Sequence, residues 1–284
     1  MLPKREGRLF AYSNWDAIPV IAGIAHLAAV ILFVCYFNQL PCWADLIFGG
    51  LYAIAISWNI NGVSHNFLHN AYFNSPILNY GFSMVESLAV GFSQVFYHWV
   101  HNRHHSGNSD KPGTDGDTID LLSIYRYGKN GEPENVWAYT LRSFFRDDIG
   151  AIYKEVSRLD RFNGYFGIAE IICYALLVLV LAFVNWKAVI FLVPFYYIGN
   201  CLSSLNGYYE HLGANPDLPI AWGVSSYSRL YNWIWFNNGY HAEHHYRPRH
   251  HWTKMHELHL QIKEKQEAAK VKVIHHAHAL GFLG

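Results

Sequence analysis

Charge is scarce in this chain. Only 15% of its 284 residues are Asp, Glu, Lys or Arg, and 21 basic residues balance 21 acidic ones. Without a basic excess the chain is not built to follow a polyphosphate backbone, so nucleic acid is excluded as a partner. Cysteine is equally scarce: Cys35, Cys42, Cys173 and Cys201 share no CxxC spacing. They imply no disulfide, and each suits a small apolar packing role. Several signatures are missing. There is no GxGxxG for a dinucleotide, no GxxxxGKS/T for a nucleotide and no HExxH for a zincin. No glutamate has a histidine three residues later, which removes the Glu-x-x-His pattern of carboxylate-rich di-iron bundles. Internal repeats and low-complexity tracts are absent too.

What is abundant is clumped apolar sequence. Residues 18–37, 46–63, 168–184 and 188–205 are predominantly apolar and free of Lys and Arg. Each is close to the roughly 20 residues that cross a bilayer core. The first is too long for a signal-peptide core and no small-residue cleavage site follows it, so it reads as a mature helix. The sequence therefore predicts an all-α, multi-pass integral membrane protein with four transmembrane helices in two hairpins. Lys4, Arg5 and Arg8 precede the first run, nine basic residues lie between Arg103 and Arg161, and eight between Arg229 and Lys272. Only Lys187 falls in the turn between the third and fourth runs. The positive-inside rule makes the side with twenty of the 21 cytoplasmic, both termini included. Trp15, Trp43 and Trp186 sit at run ends, where indoles favour the interface. The stretch 77–97 is apolar but interrupted by Ser83, Glu86, Ser87, Ser93 and Gln94. Crossing there would reverse the side of every later basic residue, so it reads as one interfacial or re-entrant helix. A single domain over 1–284 results, with a cytoplasmic helical cap formed by 66–166 and 207–284, and an exposed helix over 263–273.

Histidines carry the chemical information. His65 and His69 lie in HNFLH, His101, His104 and His105 in HNRHH, and His241, His244 and His245 in HAEHH, with His211 alone. Residues three and four apart share a helix face, so each group aims its imidazoles at one point. All lie on the predicted cytoplasmic side. Nine imidazoles exceed the roughly four ligands of a zinc site, so two ions fit better, with iron as the fitting redox metal. His98 is a tenth candidate. Taken singly, His26, His275, His276 and His278 read as surface or hydrogen-bonded residues. His250, His251, His256 and His259 either orient ligands or make a surface turn.

In these boxes and their interleaved hairpins the sequence resembles the membrane fatty acid desaturase and hydroxylase superfamily over about residues 15–255. The resemblance implies a non-haem di-iron centre that uses O2 to attack an unactivated C–H bond of a lipid acyl chain. It also implies that His211 in YYEHLG matches a lone histidine ligand after the last span. Asn206, five residues before His211, is an imperfect match to an asparagine of acyl-CoA desaturases. No HPGG haem motif is present, so electrons must come from a separate protein of ferredoxin, rubredoxin or cytochrome b5 type. Desaturation is the first expectation; hydroxylation, decarboxylation of a free fatty acid to a terminal alkene, and carotenoid ketolation share the boxes.

Outer N–H groups of ligating imidazoles need acceptors. Glu210, Glu243, Asp110, Asp115 and Asp117 are candidates, though loop carboxylates are more often solvated. Arg247 and Arg249 suit a free carboxylate head or, equally, lipid phosphates. Tyr208, Tyr209, Trp233, Trp235 and Phe236 suit the mouth of a substrate tunnel or the membrane interface. Two other classes stay open. A metal transporter needs polar ligands inside the spans, which offer mainly His26 and Glu170. A zinc-dependent membrane hydrolase needs about three histidines and one ion.

Overall fold

The computed structural model describes residues 2–106 and 118–283. They are mostly helical, and the described strands are one parallel pair, Ser225–Ser226 with Val273–Ile274. In chain order the helices are α1 (Ala17–Tyr36), α2 (Cys42–Trp58), α3 (His65–His69), α4 (Pro76–Val90), α5 (Gln94–His105) and α6 (Val136–Arg142). Then come α7 (Ile149–Leu159), α8 (Arg161–His211), α9 (Arg229–Ile234), α10 (His241–Tyr246) and α11 (Met255–Ala268). The chain divides into two compact units, neither continuous in sequence. An apolar unit comprises Lys4–His98 and Asp148–Leu202; a polar unit comprises Trp99–Asp147 and Ser203–Gly284 with Met1–Pro3.

Among the described residues, three helical stretches are long and apolar enough to cross a membrane: Asn14–Gln39, Cys42–His69 and Arg161–His211. The sequence predicts four. The difference lies in α8, a 51-residue stretch that contains both expected later spans and breaks only at Asn185, where φ is −158° and ψ 90°. The break is a local N-cap, because Asn185 Oδ1 accepts the Ala188 N–H at 3.3 Å. Apolar side chains face outward: Ile21 is 65% exposed, Leu51 60% and Phe183 90%. Water would penalise such a surface, whereas hydrocarbon accepts it.

Small residues set the helix spacing. A Cβ added at Gly199 of α8 would lie 2.7 Å from the Ala53 carbonyl oxygen of α2, and one at Gly49 would meet the Phe195 ring at 2.5 Å. Gly49 and Ala53 are four apart, the spacing that lets helix backbones approach closely.

Two local features depart from the sequence reading. The stretch 77–97 is two helices, because Gly91 closes α4 with φ 85° and α5 starts at Gln94. Glu170 of α8 joins them, accepting from Ser83 Oγ at 2.5 Å, Ser93 Oγ at 2.6 Å and the Val95 N–H at 3.2 Å. Between α2 and α3 the helix widens into a π-turn, Asn59–Ser64. There the amide groups of Asn61 and Asn66 donate to the carbonyls of Ser57 and Gly62 at 2.9 and 2.8 Å. π-Turns inside α-helices concentrate at functional sites, and this one directly precedes His65. His26 is an internally bonded histidine: its Nδ1 accepts from Asn59 Nδ2 at 3.1 Å.

Small apolar cores form among the described residues of the polar unit. Ile124, Tyr139 and Tyr208 form one; Tyr240, Met255, Leu258 and Ile262 form another. The expected exposed helix over 263–273 is corrected on both ends. Helix α11 starts at Met255, buries Leu258, Ile262 and Gln266 on one face and stops at Ala268. Val273–Ile274 then pairs with Ser225–Ser226.

Candidate metal centre

The polar unit presents its histidines from three helix ends. HNRHH forms the last turn of α5, with Arg103 turned away and its guanidinium 5.0 Å from the Trp99 ring. His211 is the last residue of α8, and the chain leaves through Gly213 at φ 88°. HAEHH opens α10, a six-residue helix reached through a tight turn. There Phe236 and Asn237 both adopt positive φ, 48° and 62°, which is uncommon for a bulky side chain. Asn237 holds the turn by donating to the Trp252 carbonyl at 2.9 Å. Gly239 lets the turn close, since an added Cβ would lie 2.3 Å from the Ser226 carbonyl oxygen. Gly239→Ala is therefore expected to cost about 1–3 kcal/mol and to displace α10. Thermal unfolding and bound metal, measured together, check this.

One group within this unit consists of His104, His211, His241 and His245. All four are buried, and one nitrogen from each lies within 4.8 Å of the others. His211 Nε2 and His241 Nε2 stand 3.1 Å apart. Metal–nitrogen bonds of roughly 2.1 Å place neighbouring ligand atoms about 3 Å apart and opposite ones about 4.2 Å apart. The donor set thus fits a metal ion. Burial and then the neighbouring imidazoles push His241 well below its usual pKa, into the neutral form that binds metal.

His101, His105 and His244 form a second assembly in the same unit. His105 Nε2 lies 3.0 Å from His101 Nε2 and 3.1 Å from His244 Nε2. In the apolar unit, His65 and His69 put their ring centroids 5.2 Å apart, edge to face. His98 is exposed and belongs to neither metal-competent group of histidines.

Carboxylates back the first group. Asp120 is fully buried; its Oδ2 accepts from His104 Nδ1 at 2.8 Å and its Oδ1 from the Leu122 N–H at 2.8 Å. Burial alone would raise this carboxyl, but the His104 imidazole and the Leu122 N–H outweigh it and hold it below its usual value. The bond fixes Nδ1 as the protonated nitrogen and leaves Nε2 for a metal, the arrangement of carboxylate–histidine–metal triads. Sequence reasoning missed Asp120, whose only signal is an acid inside the apolar run Ile119–Leu122. Asp110, Asp115 and Asp117 lie outside the described residues. Asp120→Asn removes the negative charge and is expected to weaken metal binding about 10–100-fold, read by competition with a chelator.

Glu210 and Glu243 divide their work. Glu210 stands 3.7 Å from His241 Nδ1 and accepts from Asn206 Nδ2 at 2.8 Å and Asn238 Nδ2 at 2.7 Å. Glu243 turns away from the imidazoles on its own helix, accepting from Ser225 Oγ at 2.7 Å, Tyr227 Oη at 2.9 Å and His259 Nδ1 at 2.7 Å. His259 therefore orients α10 from behind. His256 bonds Tyr240 Oη and His251 bonds Thr253 Oγ1, at 3.0 and 2.9 Å. Arg247 and Arg249 are exposed. Tyr208, a candidate for a tunnel mouth, is a core residue that donates to the Glu134 carbonyl at 2.7 Å. Phe236 is buried against Trp252, while Trp233 is 80% exposed.

The family model for fatty acid desaturase matches residues 40–277. No match was found among curated proteins or among solved structures. The matched region takes in most of both units and every histidine group described above, and the chain belongs to the fatty acid desaturase family.

Proposed function

We propose that this chain is a multi-pass membrane enzyme that uses two iron ions and O2 to oxidise an unactivated C–H bond of an acyl chain, with desaturation as the outcome. Membership of the family makes it an oxidoreductase of the desaturase and hydroxylase type, and its apolar helices make it an integral membrane protein. The observation that carries the reading is the convergence of four buried imidazoles with a carboxylate behind His104.

The proposed ligands are His65, His69, His101, His104, His105, His211, His241, His244 and His245. His65 and His69 are included because HNFLH repeats the helical spacing of the other two groups. Bound iron supplies the O2 activation that an unactivated C–H bond requires. The protein's own part is positional: Asp120 fixes the His104 tautomer, Glu210 stands behind His241, and Glu243 anchors α10 through Ser225, Tyr227 and His259. Electrons come from a separate ferredoxin, rubredoxin or cytochrome b5 type protein. The apolar unit holds a cavity of about 100 Å³ among Val30, Val34, Leu88, Leu181 and Leu192, whose apolar lining suits part of an acyl chain.

We further propose four spans, with the metal centre and both termini cytoplasmic. An unbroken helix of 51 residues would run about 76 Å, more than twice a bilayer core of about 30 Å. The break at Asn185 leaves two pieces of spanning length, and the basic residues favour the cytoplasmic side for the polar unit. Transport of metal is disfavoured, because Glu170 accepts from Ser83, Ser93 and Val95, His26 bonds Asn59 through Nδ1, and neither belongs to a metal-competent group among the described residues.

Isotope-labelled fatty acids fed to cells expressing the chain, with and without O2, test the reaction. Unsaturated lipids formed only with O2 are expected. Alcohols or terminal alkenes would redirect the reading to hydroxylation or decarboxylation, and an unchanged lipid pool would contradict it.

A further inference from the structure

His278 reads as an unremarkable histidine in sequence, yet it is completely buried, its ring 6.1 Å from that of His241. The parallel pairing of Val273–Ile274 with Ser225–Ser226 brings it there, and Ser226 Oγ secures the segment by donating to the His276 carbonyl at 2.7 Å.

Its hydrogen bonds have a forced direction. The Val224 carbonyl, 2.8 Å from His278 Nε2, can only accept, so Nε2 carries the proton. In a neutral ring Nδ1 is then an acceptor, and its partner at 3.1 Å is Tyr231 Oη, which donates. Tyr231 Oη in turn accepts from Asn238 Nδ2 at 3.0 Å, and the same amide nitrogen donates to Glu210 Oε1 at 2.7 Å. Asn206 closes the circuit: its Oδ1 accepts the Ala279 N–H at 3.2 Å while its Nδ2 donates to Glu210 Oε1 at 2.8 Å. Two amides are thus oriented, directly or through Tyr231, by one short segment, 278–279. Both point their N–H groups at the carboxylate that stands 3.7 Å from His241.

We infer that His278 is a positioning residue of the metal centre, acting through Tyr231 and Asn238 to hold the Glu210 carboxylate behind His241. The inference rests on the proposed di-iron reading. It extends the centre to a residue outside the boxes, and outside the matched region, which ends at 277. Without the Nδ1 acceptor, the Tyr231 proton turns to Asn206 Oδ1, 3.3 Å away, and competes with Ala279 for it. The amides then lose their fixed orientation, and Glu210 with them. Supports of this kind typically change metal affinity about 10–100-fold.

The test titrates ferrous iron into the metal-free full chain in detergent, with a competing chelator, alongside thermal unfolding of the same metal-free samples. His278→Phe is expected to weaken one of two iron sites about 10–100-fold. Tyr231→Phe, which removes only the hydroxyl, should do the same, and the double variant should lose little more, as expected for residues in one chain. His278→Gln, which keeps a donor and an acceptor, should recover part of the affinity. The exposed His275→Ala should match wild type. Two sites of wild-type affinity in Tyr231→Phe would overturn the inference, even if His278→Phe failed to fold. Equal losses of metal-free stability and affinity, with no recovery in His278→Gln, would reduce His278 to a packing residue and also overturn it. A wild-type chain that binds no pair of irons would instead defeat the underlying reading.

Discussion

Replacing His104 by alanine is expected to drop bound iron from two ions per chain to one and to bring lipid oxidation to background. His104 is one of four buried imidazoles in its group, and its Nδ1 bonds Asp120. Its removal has two consequences that can be separated. The ion loses a neutral nitrogen ligand, and Asp120 is left as a buried carboxylate that keeps the Leu122 N–H at 2.8 Å but loses its His104 partner. Stranding a buried charge costs about 3 kcal/mol or more. His104→Ala should therefore lower the unfolding temperature even without metal. Adding Asp120→Leu should restore that stability without restoring iron or turnover. Retained oxidation in His104→Ala would count heavily against the proposed centre.

The second large effect lies far from any histidine. Gly199→Leu is expected to abolish recovery of a monodisperse, detergent-stable protein. The obstacle at Gly199 is partly backbone, the Ala53 carbonyl oxygen at 2.7 Å from an added Cβ, with Ile56 Cβ as close. A carbonyl cannot change rotamer, so α2 and α8 must separate. Overpacking usually costs about 1–3 kcal/mol and more where backbone must move. Gly50→Leu is the internal comparison, because an added Cβ there meets nothing within 4 Å. Size-exclusion profiles should differ sharply between the two variants. Similar profiles would mean that the helices do not rely on this close approach.

Periodicity made part of this molecule legible. HNRHH and HAEHH repeat at three and four residues, so helical geometry alone gathers their imidazoles, and the structure brings them together with His211 in one unit. The apolar runs were equally open to reading, since length and composition define a spanning helix. What sequence could not reveal are partners brought together by the tertiary fold. Asp120 meets His104 from 16 residues away and His278 meets Val224 from 54 residues away, with no local pattern marking either. The π-turn before His65 depends on amide side chains of Asn61 and Asn66 bonding backbone carbonyls, which periodicity does not register. Gly91 did carry a signal. A glycine between two apolar segments marks a helix end, and it separates α4 from α5 where a single helix was expected. Asn185 carried the same kind of signal as an N-cap, and the short turn expected there is a break at this one residue.

The central claim is that these imidazoles hold a pair of irons. Iron and zinc counted per purified chain, with X-ray absorption reporting the atoms around the metal, test it most directly. Two irons per chain, each surrounded mainly by imidazole nitrogen, are predicted. One zinc per chain without iron would contradict the account and favour a hydrolase.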